Sequence, residues 1–167
     1  MSALIVTAEL GSSDFNWLND LRRRHFPPER NQLDVHLTIF HALPPSSERE
    51  VRSRLAELAA GPPPHAHIAG LMNLGGGVAY RVVSDELDRL RDQLAVGLHG
   101  LLSAQDSGGW RPHVTIQNKV SPREARDVVQ QLEQGFSARP LAIAGLGLHR
   151  YLGGPWETLA IYPFRGR

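Results

Sequence analysis

The four residues His-Leu-Thr-Ile at 36–39 return as His-Val-Thr-Ile at 113–116. The chain holds eight histidines but only four threonines in 167 residues, so a Thr two places after a given His is expected about once in forty cases. Two of the eight have one. Both copies alternate polar and aliphatic residues, the pattern of a strand with one packed face and one open face. Under strict alternation His36, Thr38 and Phe40 share the open face of the first strand, with Leu37 and Ile39 opposite. His113, Thr115, Gln117 and Lys119 share that of the second, with Val114 and Ile116 opposite.

The surroundings of the two copies are also alike. Ala3–Glu9 reads as a first strand, and a helix then runs from a Ser13-Asp14 cap to about Arg24, before Pro27-Pro28. A strand over Val35–Leu43 follows, then a helix through Leu58 opened by a capping box of Ser46-Ser47 and Glu50. His65–Leu74 and Val78–Val83 flank Gly75-Gly76-Gly77 as a hairpin. Ser84-Asp85 caps a helix with Leu87, Leu90, Leu94 and Leu98 on one stripe. A flexible SAQDSGG stretch at 103–109 leads to a strand over Pro112–Lys119. Ser121-Pro122 opens another helix, and strands over Leu141–His149 and Glu157–Pro163 close the chain. Each motif strand thus lies between two helices and is followed, after the second, by a hairpin. That order predicts an α+β fold of two pseudo-symmetric lobes, each a mostly antiparallel sheet with helices on its outer face, around a central cleft. One two-lobed domain over 1–167 is expected, with sequence halves of roughly 1–80 and 81–167.

Two histidines facing one cleft suit phosphodiester cleavage. A neutral imidazole can take a proton from attacking water while a protonated one gives a proton to the leaving oxygen. Threonine hydroxyls can donate to the non-bridging phosphate oxygens, where charge must be held in the transition state. Singly, either histidine would be an ordinary strand residue; the matched pair argues for catalysis. No metal or other cofactor is required. With no cysteine in the chain, thiolate nucleophiles and Cys-based zinc sites are ruled out. A net charge of +1 argues against a broad duplex-binding surface. Of the 18 basic residues only Lys119 is a lysine. The start, MSALIVTAELGSS, lacks a basic region, and its apolar run is too short for a signal or membrane span, so a cytoplasmic protein without a membrane association is expected.

These motif residues, the second copy preceded by Pro112, resemble the paired HxTx motifs of the two-histidine (2H) phosphoesterases, which include the bacterial RNA 2′,3′-cyclic phosphodiesterases often named 2′-5′ RNA ligases. The resemblance extends over nearly the whole chain and implies metal-independent opening of a 2′,3′-cyclic phosphate to a 2′-phosphate. The partner would be an RNA end or a small cyclic-phosphate nucleotide, and no obligate protein partner is inferred. Carried over, His36 would protonate the leaving 3′ oxygen, His113 would activate water, and Thr38 and Thr115 would bind the phosphate. Several relatives place an Arg shortly after the second motif, where this chain reads Gln117-Asn118-Lys119. Lys119 is therefore a candidate for contact with substrate, as a point charge and not a planar fork. Phe40 is a candidate for stacking on a base. The alternative function is a non-catalytic module that binds RNA ends or nucleotide phosphates in the same pocket. His65 and His67 lack a third metal ligand nearby, His41 is expected on the apolar side, and Arg22-Arg23-Arg24 reads as a solvated helix end.

Overall fold

The computed structural model describes residues 2–166. The elements run β1 (Leu4–Leu10), α1 (Ser12–His25), β2 (Leu37–Leu43), α2 (Glu48–Ala59), β3 (Ala66–Asn73), β4 (Val78–Val83), α3 (Asp85–Gly97), α4 (Ala104–Ser107), β5 (His113–Gln117), α5 (Pro122–Glu133), β6 (Arg139–Leu141), β7 (Ile143–Tyr151) and β8 (Trp156–Pro163). They build two four-stranded sheets, ordered β2-β1-β7-β8 and β5-β4-β3-β6. Every pairing is antiparallel. The fold is the α+β, two-lobed one the element order predicts.

The lobes are not the two sequence halves. The first sheet takes its strands from both ends of the chain and the second from the middle, and a boundary at residue 80 would cut through β4. The reason is the hairpin: β3 and β4 pair with each other across residues 73–78, so β3 cannot stay with β2. Asn73 Oδ1 accepts from the Gly75 N–H at 2.8 Å, and Leu74 N–H donates to Gly77 O at 2.8 Å, which closes the turn. Gly75 supplies the left-handed φ of 88° that this turn needs.

Helix α1 crosses between the lobes. Helix α1 follows β1 in sequence but packs on β5 of the other sheet, with Trp17 against Tyr80 at 5.4 Å between ring centroids. Helix α2 packs on β7 and β8, and α5 on β3 and β4. The apolar stripes of these helices and the strand faces form one core, in which Leu18, Leu37, Phe40, Leu55, Ile68, Leu94 and Ile116 are fully buried.

Capping follows the sequence in two helices. Ser84 accepts from Leu87 N–H and Ser121 from Glu124 N–H, at 3.0 and 3.1 Å. It departs in two others. Ser47 donates its hydroxyl to Pro44 O at 2.7 Å and caps nothing. Asp14 sits inside α1 and accepts from Ala142 N–H at 2.8 Å, tying the helix to the segment between β6 and β7. The 103–109 stretch is not a loose loop: it contains α4, with Ser103 as its cap and Asp106 buried.

Candidate active site

Both motif strands lie at the edge of their sheets, and β2 and β5 run beside each other with Cα atoms within 8 Å. Each carries a β-bulge at the same place. Thr38 pairs with Thr7, but Phe40 pairs with the very next residue, Val6, leaving Ile39 extra. Thr115 pairs with Ala79 and Gln117 with Val78, leaving Ile116 extra. Before the bulge the expected alternation holds: His36, Thr38, His113 and Thr115 are partly open, and Leu37, Ile39, Val114 and Ile116 are buried. After it the alternation slips by one residue. Phe40, with 0% exposure, therefore goes into the core and cannot stack on a base. Gln117 is buried as well, and its Oε1 has no hydrogen-bond partner among the described residues. His41 comes back to the open face, where strict alternation does not put it.

The two motif imidazoles are anchored alike. Nδ1 of His36 lies 2.8 Å from Asp34 O, and Nδ1 of His113 lies 2.7 Å from Arg111 O. A carbonyl only accepts, so Nδ1 carries the proton in both rings and Nε2 is left for chemistry. Their surroundings differ. His36 packs against Trp156 at 4.6 Å between centroids. Burial lowers its pKa to about 4, helped by the nearby charges of Arg22, His149 and His113 and opposed by the Asp34 carbonyl.

Two cavities flank the pair. One, of about 360 Å³, is lined by His36, Glu9, Asp34, Thr7, His149 and Trp156 among others. A polar chain crosses its floor: Thr7 Oγ1 donates to Glu9 Oε2 at 2.9 Å and meets His149 Nε2 at 2.8 Å, while His149 Nδ1 meets Thr158 Oγ1 at 3.1 Å. Burial raises the Glu9 carboxyl pKa and lowers that of His149. The other cavity, of about 200 Å³, is lined by Thr38, His113, His41, Trp110, Arg91 and Arg111 among others.

A family model described as the 2′-5′ RNA ligase superfamily matches residues 11–155. The chain belongs to that superfamily. No curated protein matches it in sequence. Among solved structures, TT0787 of Thermus thermophilus has 16% identity over 100% of both chains, with a TM-score of 0.67. E. coli LigT complexed with 3′-AMP has 15% identity over 98% of each chain, with a TM-score of 0.61, and LigT complexed with NADP+ has 18% identity over 98% of each, with a TM-score of 0.59. At such identities these likenesses establish the shared two-lobed fold.

Membership of the 2′-5′ RNA ligase superfamily supports a phosphoesterase-type or ligase-type enzyme. In this member of the superfamily, Thr38 and His113 share one cavity and His36 lines the other. Thr115 is partly buried on the strand face it shares with His113 and lines neither. Lys119 is not on the strand at all: β5 ends at Gln117, and Lys119 is exposed at a φ of 63°. It lines neither cavity.

Sequence reasoning missed Glu9, His149, Trp156, His41 and Asp106. For the first cavity there was a signal. The chain's four threonines are Thr7, Thr38, Thr115 and Thr158, and the two outside the motifs hold His149 between them. The Arg22-Arg23-Arg24 run hid a different role: Arg22 is buried and donates to Thr115 O at 3.0 Å. His65 bonds Glu86 at an exposed position. No group of three or more potential metal ligands occurs among the described residues, nor does a helix long and apolar enough to cross a membrane.

Proposed function

We propose that the protein is a phosphodiesterase that opens a 2′,3′-cyclic phosphate on an RNA end or small nucleotide, giving a 2′-phosphomonoester without a metal. The observation that carries this reading is the pair of equivalent imidazoles, each fixed through Nδ1 to a carbonyl two residues back, on adjacent edge strands. Water attacks phosphorus opposite the 3′ oxygen, and the bond from phosphorus to that oxygen breaks. One Nε2 takes the proton from water and the other delivers a proton to the departing oxygen. Thr38 and Thr115 donate their hydroxyls to the non-bridging oxygens.

The environments of the two rings favour a division of labour opposite to the one carried over from the resemblance. Burial against Trp156 holds His36 unprotonated at neutral pH, as a base must be. His113 then acts as the acid. Ligation with a 2′-5′ linkage would use the same groups, with a 5′-hydroxyl in place of water.

The test is to incubate an RNA oligomer ending in 2′,3′-cyclic phosphate with the protein in excess chelator and follow the 2′-phosphomonoester by phosphorus NMR. Turnover should persist in chelator and fall by at least about 10³-fold in folded His36→Ala and His113→Ala. Loss in chelator with recovery on adding zinc would overturn the metal-free mechanism. Binding of 2′-phosphorylated nucleotides with no turnover of any cyclic phosphate would point instead to the non-catalytic module. Adding an oligomer with a 5′-hydroxyl to the same reaction separates ligation from hydrolysis.

A further inference from the structure

The two cavities, one at each motif histidine, carry opposite charge. The one at His36 is lined by the carboxylates of Glu9 and Asp34 and, among the described residues, by no Arg or Lys. The one at His113 is lined by two arginines, Arg91 and Arg111, against one aspartate, Asp106. The neighbouring strands repeat the contrast. Arg81 of β4 pairs directly with His113, whereas the register of Ala8 with Leu37, continued one step, sets Glu9 opposite His36.

The carboxylate of Asp106 is taken up by hydrogen bonds to β2. Its side chain is fully buried. Its Oδ1 accepts from His41 N–H at 2.8 Å and lies 3.1 Å from His41 Nδ1, and its Oδ2 accepts from Ala42 N–H at 2.9 Å. The arrangement fixes the His41 ring with Nδ1 toward the carboxylate, so Nε2 is the atom left to meet a ligand. The bulge after Thr38 is what aims this side chain into the cavity that Thr38 and His113 line. Arg91 is buried between the Phe40 and Trp110 rings, 4.7 and 5.1 Å away, and its hydrogen bonds go to Ile39 O and Asp106 O. It contributes field; Arg111, which is exposed, supplies reachable donors, and His41, which is half-open, adds Nε2–H when its ring carries both protons.

We propose that the cavity beside His113 is a subsite for a second phosphate, one nucleotide away from the cyclic phosphate, so that the substrate is an RNA end and not a cyclic mononucleotide. This inference rests on the phosphodiesterase reading above and names its substrate. The acidic cavity at His36 disfavours a second phosphate and is left for an uncharged nucleoside. A bound strand therefore has one direction: its reacting end sits between the histidines, and the next phosphate bonds His41 Nε2 and the Arg111 guanidinium.

The test compares kcat/KM at low salt for a 2′,3′-cyclic mononucleotide and for the dinucleotide that carries the same cyclic end. The wild type should favour the dinucleotide by at least about tenfold, with the advantage shrinking as salt screens the second phosphate. In His41→Gln, and separately in Arg111→Gln, the ratio should move toward one; the exposed Arg111 guards against misfolding as the cause. A wild-type ratio near one with good turnover overturns the subsite and leaves the phosphodiesterase reading standing, as does a ratio that both variants retain. If neither substrate is turned over, the phosphodiesterase reading fails. The subsite is then judged by binding of the 2′-phosphorylated mononucleotide and dinucleotide, and equal affinity, or a preference unchanged in Arg111→Gln, overturns it.

Discussion

Arg22 and Thr115 are 93 residues apart, and the Arg22 guanidinium donates to the Thr115 carbonyl oxygen at 3.0 Å. Arg91 of α3 makes a similar contact one motif position later, with Ile39 O at 3.1 Å. Edge strands leave main-chain groups unpaired, and buried ones must find partners. Here each motif strand has a carbonyl met by a buried arginine from a helix. Trp110 Nε1–H adds a bond to Thr38 O at 3.1 Å. The strands that carry the histidines are thereby held in place where no neighbouring strand pairs with them.

Replacing Arg22 should be costly. It also donates to Asn31 Oδ1 at 2.8 Å and stacks over Phe26 at 4.3 Å. Burial lowers its pKa to about 10, with Asp34 opposing, so it stays charged at neutral pH. Arg22→Met should destabilise by about 2–4 kcal/mol, since it strands the Thr115 carbonyl and the Asn31 amide. Arg22→Lys should recover only part, because an ammonium lacks the planar fork. Urea unfolding measures both; a change below about 0.5 kcal/mol in the Met variant would mean the bracing is unimportant.

With His36 as the base, activity requires it unprotonated. The acid limb of kcat/KM should therefore fall near pH 4, where His36 takes up a proton. Steady-state rates on a cyclic phosphate across this range decide it. An acid limb near the ordinary histidine value of about 6.5 would contradict the assignment of His36 as base.

The same shift makes stability depend on pH. The folded pKa of His36 is about 4 and the unfolded value is about 6.5. Between them the unfolded chain binds the extra proton, so stability rises with pH and is lost as pH falls from about 6.5 toward 4. The loss from this residue is on the order of 3 kcal/mol, and His149, also lowered by burial, acts in the same direction. His36→Asn should flatten that slope. Chemical unfolding at several pH values would expose the idea as wrong if wild type and variant lost stability in parallel.

Gly77 is a packing requirement. A Cβ there would overlap the Gln117 carbonyl oxygen and press on Asn118 Cα, both main-chain atoms of the second motif strand's end. Gly77→Ala should cost about 2–4 kcal/mol and lower activity by shifting β5. The unfolding midpoint and kcat of the variant test both effects together.

Local pattern makes the candidate site legible, and long-range geometry limits what can be read. His36, Thr38, His113 and Thr115 follow from alternation over four residues, which the bulges leave untouched. Strict alternation exchanges Phe40 and His41, because one extra residue at Ile39 flips every later side chain, and no residue type at that place signals it. It misplaces Lys119 for a related reason: the left-handed backbone there ends the strand that alternation would extend. The lobes escape because sheet membership is set by which strands pair. Placing β7 beside β1 joins residues more than 130 positions apart, and only the assembled core decides that. His41 gains its place from Asp106, 65 residues away in a stretch that composition presents as a loop.

Phe40 and Lys119 can be checked as a contrasting pair. A base-stacking Phe40 would lose affinity on truncation, but the ring is fully buried beneath Arg91. Phe40→Ala should cost about 3–5 kcal/mol as a core cavity, while the milder Phe40→Leu should keep the fold and leave KM nearly unchanged. Lys119→Gly removes a side chain from a backbone conformation that disfavours one, so it should raise stability by about 0.5–1 kcal/mol. Its kcat/KM should stay within about twofold of wild type, an effect under about 0.5 kcal/mol, as expected for a surface substitution away from the site. A large rise in KM in Lys119→Gly would restore it as a substrate contact. A rise in KM in Phe40→Leu without loss of stability would do the same for the ring.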